Sequence, residues 1–116
     1  MKYVFALFAL VAVLLVAQNG SSRAPVPAPV FKAVRHYWKT RPDRVTAFDV
    51  IACETGDTYS TTIGSYRVGL FQFGPWERSQ FGYGWSVWAQ ARGAHNYWRV
   101  SGWSPWKNYE PAGCGA

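Results

Sequence analysis

Apolar residues recur at helical spacing along much of the chain, and polar, glycine-rich segments separate them. This pattern predicts a mainly helical protein. The first repeat, Val30, Val34 and Trp38, predicts a helix from Val30 to about Lys39. Pro42 is expected to break that helix, because proline lacks the amide hydrogen that a helix interior needs.

A second helix is expected after Pro42, and it would end close to an acidic residue. Thr46 is the expected N-cap, because Asp49 three residues later completes a capping box. The apolar face would consist of Val45, Phe48, Ile51 and Ala52. Gly56 is the expected stop, which places Glu54 in the last turn. The helix dipole and partial burial would both raise the pKa of Glu54, as a general acid requires.

The middle of the chain predicts loops and one short helix. Residues 57–66 are rich in Thr, Ser and Gly and are expected to form a loop or a short irregular hairpin. The run Gly69–Gly74 alternates apolar residues around the polar Gln72. Pro75 would then begin a short helix that reaches about Gln80, since proline suits the first helical position.

The longest helix is expected next, with Ser86 as its N-cap and Gly102 at its end. Its apolar stripe would consist of Val87, Ala91, Ala94 and Trp98. The remaining residues, 103–116, combine aromatic residues with proline and glycine and are expected to wrap around the domain as coil.

The N-terminal part of the chain has a different composition. Its apolar run, Tyr3–Ala17, is shorter than the roughly 20 residues that span a bilayer, so residues 1–17 are predicted to be a secretory signal. An uncleaved membrane anchor is the alternative, because Leu15 is large for a cleavage site. Residues 18–29 are expected to be a Pro/Ala-rich linker, and 30–116 the folded domain of a secreted or envelope-associated protein.

The chain contains 2 cysteines, Cys53 and Cys114. In an exported domain of this size they are expected to form a disulfide, because a small core often needs a covalent crosslink. Two free thiols would instead indicate a reducing compartment. In the chain-entropy model, closing so long a loop contributes on the order of 4 kcal/mol.

The net charge of +6 favours anionic partners such as cell envelopes, acidic glycans or membrane surfaces. The basic residues are dispersed and form no nucleic-acid motif, so no nucleic-acid partner is expected. His36 and His95 are far apart and show no metal-ligand spacing, so neither a metal nor a cofactor is expected.

The 7 tryptophans exceed what a small core buries easily. Because indole rings stack on the flat faces of sugars, the excess predicts a glycan-binding groove. Trp98 is the best core candidate, since it ends the apolar stripe. Trp103, Trp106 and Tyr109 are the better groove candidates.

Acidic residues are few, with Asp and Glu together numbering 6. A glycosidase that uses two carboxylates places them about 5 to 9.5 Å apart, across the scissile bond. Asp57 is the only candidate close to Glu54 in sequence, and a mechanism with a single acid is preferred.

Three motifs occur together in order: Cys53-Glu54-Thr55-Gly56, then Gly69-Leu70-Phe71-Gln72-Phe73, then a Trp-rich tail with a cysteine near its end. In this order they resemble the catalytic domain of resuscitation-promoting factors, which are related to soluble lytic transglycosylases and lysozymes. The resemblance covers residues 46–116.

The resemblance implies a small α+β, mainly helical, lysozyme-like domain with one disulfide, Cys53–Cys114. It also implies cleavage of peptidoglycan between N-acetylmuramic acid and N-acetylglucosamine. Glu54 would be the general acid, and Gln72 would bind sugar substituents. In the transglycosylase relatives the muramic acid's own 6-hydroxyl completes the reaction, which would explain the lack of an obvious second carboxylate.

Asp57 and Tyr59 would bind substrate at the cleft rim, where the family more often has Gly or Asn and then Trp. The protein is expected to act as a monomer on peptidoglycan strands. Hydrolysis and anhydro-product formation both remain open. A non-catalytic glycan-binding module on the same scaffold is the alternative function, and a membrane-perturbing cationic protein is a third.

Overall fold

The computed structural model describes residues 25–108 and Cys114, and within them the chain forms five α-helices. They are α1 (Ala28–Tyr37), α2 (Arg41–Thr55), α3 (Pro75–Phe81), α4 (Val87–Ser101) and α5 (Ser104–Asn108). In these residues extended pairing is limited to an isolated antiparallel bridge between Val68 and Phe73. The expectation of a mainly helical domain is therefore confirmed, whereas within residues 25–108 this bridge is all that represents the expected β part.

Several predictions about the termini fall outside the described residues. These are the signal or anchor at 1–17, most of the linker at 18–29, and Tyr109. None of the described helices is both long enough and apolar enough to cross a membrane.

Helix α1 begins two residues earlier than the sequence predicts, inside the expected linker. Pro27 precedes it and Pro29 lies in its first turn. Proline is well suited to this turn, because the first amides of a helix have no partner within it. The helix ends at Tyr37, so Pro42 is not what stops it.

Helix α2 starts at Arg41 rather than after Thr46, so the predicted N-cap is wrong. Thr40 is the cap: its hydroxyl accepts from the Asp43 amide at 3.4 Å and donates to the Asp43 carboxylate at 2.8 Å. The Thr46 hydroxyl instead donates to the carbonyl of Pro42 at 3.0 Å. Pro42 fits within the first turn of α2, where its missing amide hydrogen costs nothing.

The later helices follow the sequence signals closely. Gly56 ends α2 in the left-handed conformation, at φ 58°, as expected of a C-cap glycine. Pro75 begins α3, and Ser86 caps α4, which Gly102 follows. The tail differs from its predicted coil, because Ser104–Asn108 form the short helix α5.

The core contains an aromatic cluster around the fully buried Trp38. Its ring lies within about 6 Å of the rings of four others, Phe71, His95, Trp98 and Trp103. Trp98, the expected core tryptophan, packs against this core while remaining partly exposed. Helix α4 is central to the packing, since it contacts both α1 and α3.

The disulfide between Cys53 and Cys114 is confirmed, with the two Cα atoms 5.4 Å apart. It joins the last turn of α2 to the end of the chain. The Cys114 amide also donates to the carbonyl of Trp106 at 2.9 Å. Together these two links hold Cys114 against α2 and α5.

Candidate active site

A small open cleft lies where the end of α2 meets the 67–73 segment, α3, α4 and α5. Its walls combine charged, amide and aromatic side chains. They are Glu54, Arg67, Phe71, Gln72, Phe73, Glu77, Tyr97, Pro105 and Trp106. The structure therefore brings Glu54 and Gln72, both singled out in the sequence, into one cleft.

Glu54 reaches the cleft from the last turn of α2, as predicted, and its side chain is partly buried. Two features hold this turn in place. The neighbouring Cys53 is crosslinked to Cys114, and the Asp57 amide donates to the carbonyl of Ala52 at 2.8 Å. A carboxyl group at this position is supported on a constrained backbone, as a positioned acid must be. The raised pKa expected of Glu54 stays a prediction.

Gln72 lies at the tip of a tight turn and has a positive φ of 52°, which is unusual for a non-glycine residue. Its side-chain Nε2 donates to the carbonyls of Ile63, at 2.9 Å, and Gly69, at 3.0 Å. These bonds support the turn and fix the orientation of the amide. The amide oxygen Oε1 is then the atom of this side chain that suits a ligand donor.

Two buried polar side chains form hydrogen bonds to the backbone of the same turn. Neither of them was expected from the sequence. The fully buried Gln90 of α4 accepts from the Leu70 amide through Oε1 and donates to the Thr61 carbonyl through Nε2, both at 2.9 Å. A signal was present: Gln90 is a polar residue within the apolar face of α4. Gly69 leaves room for it, because a Cβ there would collide with the Gln90 amide.

Tyr83 is the second support. Its hydroxyl accepts from the Phe71 amide at 3.1 Å and donates to the Val68 carbonyl at 2.9 Å. Burial raises the pKa of Tyr83 well above its ordinary value of 10.0, and the negative charge of Glu54 adds to the rise. The hydroxyl therefore stays protonated and can keep donating to Val68 at neutral pH.

The second carboxylate in the cleft is Glu77, not Asp57. Glu77 lies in the first turn of α3, where the helix dipole favours an acid. Gly74 permits its position, because a Cβ on Gly74 would lie 2.7 Å from the Glu77 Oε2. Asp57, the second acid suggested by the sequence, is exposed just beyond α2 and does not line the cleft.

The predicted sugar-binding aromatic residues are divided between the cleft and the core. Trp106 lines the cleft although only 3% of its surface is exposed, and its Nε1 donates to the Phe71 carbonyl at 3.3 Å. Trp103 does not line it: its ring stacks on Trp38 and its Nε1 donates to Asp43. Tyr59 is also buried and lies outside the cleft lining.

Comparisons of the chain with protein-family models, with curated proteins and with solved structures find no match. The likeness to resuscitation-promoting factors therefore depends on the motif residues themselves.

Proposed function

We propose that the chain is an exported enzyme that cleaves the glycan strand of peptidoglycan between N-acetylmuramic acid and N-acetylglucosamine, with Glu54 as general acid. The observation that carries the proposal is the open cleft into which α2 brings Glu54 beside Gln72 and aromatic side chains. The order of the motifs around Cys53, Gln72 and Cys114 supports the same α+β, lysozyme-like family. The apolar N-terminal run supports export.

In the proposed reaction Glu54 gives its proton to the oxygen that bridges the two sugars. The bond between C1 of the muramic acid and this oxygen breaks, and the departing sugar keeps the proton as a new hydroxyl group. C1 then bonds either to the muramic acid's own 6-hydroxyl oxygen or to a water oxygen. The proton released from that nucleophile returns to the Glu54 carboxylate, which restores the acid.

Glu77 makes the water route a specific second possibility. A carboxylate in the same cleft can activate water or stabilise positive charge developing at C1. Gln72, whose Nε2 is already bound to the backbone, would accept from a sugar hydroxyl or N-acetyl amide through Oε1. Trp106 would supply an apolar wall.

The test measures soluble muropeptides released from purified cell walls, with mass spectrometry of their ends. Glu54→Gln should lower the rate by about 100-fold or more, the usual contribution of a positioned general acid. Asp57→Asn is the matched control, since it removes one negative charge from an exposed site near the same helix end, and it should change the rate by less than about 2-fold. Wild-type activity in Glu54→Gln would reject the proposal.

The chemical form of the product ends distinguishes attack by the 6-hydroxyl from attack by water. Anhydro ends with little effect of Glu77→Gln would assign the second step to the 6-hydroxyl. Reducing ends together with a large loss in Glu77→Gln would assign it to water. Binding to walls without any soluble product, unchanged by Glu54→Gln, would select the non-catalytic glycan-binding module instead.

A further inference from the structure

A second surface is formed by one face of α4. Trp88, Arg92, His95 and Arg99 follow one another at spacings of four, three and four residues. At about 3.6 residues per turn these positions form a single line along the helix, about 16 Å long. We call these four residues the basic stripe.

Helix α1 flanks the basic stripe with two more rings. The imidazole of His36 lies 5.2 Å from the Trp88 ring, and Tyr37 lies 5.5 Å from His95. His36 is exposed, and 43% of the Trp88 surface is exposed. The His36 and Tyr37 rings both meet the Trp88 ring at steep angles, of 68° and 61°, so the indole is held in a defined orientation.

The basic stripe is separate from the cleft. Tyr97 lines the cleft from α4, and Trp88 lies nine residues before it, about two and a half turns away. Two and a half turns place the two side chains on opposite sides of the helix. A ligand on the basic stripe would therefore not compete for the space beside Glu54, and this inference does not rest on the proposed function.

The charged residues of the two helices that form this surface are all basic. Neither α1 nor α4 contains an acidic residue. Burial lowers the pKa of His95, and the positive charges of Arg99, Lys39 and His36 lower it further, which shows that several cations act on one point. An anionic partner would relieve this repulsion.

We propose that the basic stripe binds an acidic polysaccharide. A sugar ring would stack on Trp88, and carboxylate or phosphate groups farther along the polymer would pair with Arg92 and Arg99. The two arginines are about 10 Å apart along the helix axis, a spacing that suits charged groups repeating along a saccharide chain. Guanidinium groups bind such oxyanions through paired, charge-assisted hydrogen bonds.

A polysaccharide fits this surface better than a lipid bilayer. Interfacial helices need a broad apolar face with cations at its edges. Here the cations alternate with rings along a single line, and the rings of His36 and Tyr37 meet the Trp88 ring at angles of 68° and 61°, so the three rings form no broad flat apolar face. The surface offers one flat ring and a row of charges, which is the pattern that a polyanionic sugar chain would use.

The experiment measures binding of the folded protein to polygalacturonate, a linear carboxylated polysaccharide, with neutral dextran as the uncharged control. Arg92→Gln/Arg99→Gln should weaken binding by at least about 10-fold, because the variant loses the charge-assisted hydrogen bonds to the carboxylates of the polymer. The matched control is Arg35→Gln/Lys107→Gln, which removes the same net charge from exposed positions outside the stripe. It should weaken binding by less than about 3-fold.

Trp88→Leu tests the stacking contact. It should weaken binding to polygalacturonate by about 5-fold. Its binding to a single-stranded oligonucleotide and to phosphatidylglycerol vesicles should be no stronger than that of wild type. Arg92→Lys/Arg99→Lys, which retains the charge, should restore part of the affinity. Circular dichroism of each variant confirms that it is folded.

Equal losses in the two double glutamine variants would overturn the proposal, because net charge alone would then explain binding. Tighter binding of wild type to the oligonucleotide or to the vesicles than to polygalacturonate would also overturn it. Tighter binding to the oligonucleotide would assign the surface to nucleic acid, and tighter binding to the vesicles would assign it to membranes.

Discussion

The cleft and the basic stripe lie on opposite sides of one helix, yet they are built in different ways. Gln90 and Tyr97, seven residues apart, face the cleft side of α4, where Gln90 supports the turn that contains Gln72. Trp88 and His95, also seven residues apart, face the other side. The cleft depends on hydrogen bonds between distant parts of the chain, whereas the stripe follows from the repeat of a single helix.

This difference predicts that the two surfaces can be damaged independently. Loss of a long-range contact should disturb the cleft while α4 and its stripe persist. Changes along the stripe should leave glycan cleavage unaffected. Each of the following variants is therefore measured for stability, for wall cleavage and for polygalacturonate binding.

The largest effect is expected from Cys53→Ser/Cys114→Ser. The disulfide closes a loop with a sequence separation of 61 residues. Its removal should lower the free energy of unfolding by about 4 kcal/mol in the chain-entropy model. Urea denaturation measures this loss, and treating wild type with a reductant should reproduce it. The rate of wall cleavage should fall more than the affinity of the basic stripe for polygalacturonate, because Cys53 adjoins Glu54. An unchanged urea midpoint would contradict the prediction.

Gln90→Met should have the next largest effect. The variant leaves the Leu70 amide and the Thr61 carbonyl without their partner, and each unpaired group costs about 1–3 kcal/mol. We expect a loss of about 2–4 kcal/mol in urea denaturation and lower cleavage, with stripe binding retained by the folded fraction. Gln80→Met, at an exposed position of α3, is the control. Equal stability of the two variants would refute the supporting role of Gln90.

Tyr83→Phe should cost about 1–3 kcal/mol, since it removes one hydroxyl that serves both Val68 and Phe71. Tyr66→Phe, at an exposed position, is the matched control. The effect should also depend on pH. The folded protein keeps the Tyr83 pKa above 10.0, so this contribution is complete below that pH and is lost as the pH rises beyond it. A wild type whose stability above pH 10 falls no faster than that of Tyr83→Phe would contradict this assignment.

The smallest effect concerns the stripe itself. Affinity for polygalacturonate should rise a few-fold as the pH falls, because burial and nearby positive charges lower the pKa of His95, and a bound anion would offset those charges and favour its protonated form. The positive charges that face His95 are Arg99 on α4, His36 on α1 and Lys39 just after α1. They favour its neutral form until an anion binds. His95→Gln should flatten the pH profile, and an unchanged profile would exclude this imidazole.

Local signals in the sequence were sufficient for much of the helical framework. Pro75, Ser86 and Gly102 mark helix ends where the structure has them, and Gly56 ends α2 in the left-handed conformation. Such signals act within one turn of the chain, so they need no knowledge of the fold. One local pattern was misleading: Thr40, not Thr46, caps α2, because Pro42 is compatible with a first turn.

The sequence by itself determined the helices α3 and α4, the crosslink between Cys53 and Cys114, and the position of Glu54 at the end of α2. Only the tertiary structure decided that Glu77 and not Asp57 shares the cleft with Glu54, that Trp103 packs against the core, and that Gln90 and Tyr83 support the turn at Gln72. The physical reason is the separation along the chain of the residues that specify each feature. A helix end is specified by neighbours within a few residues, whereas a buried hydrogen bond between α4 and a distant loop forms only when packing excludes water from both partners.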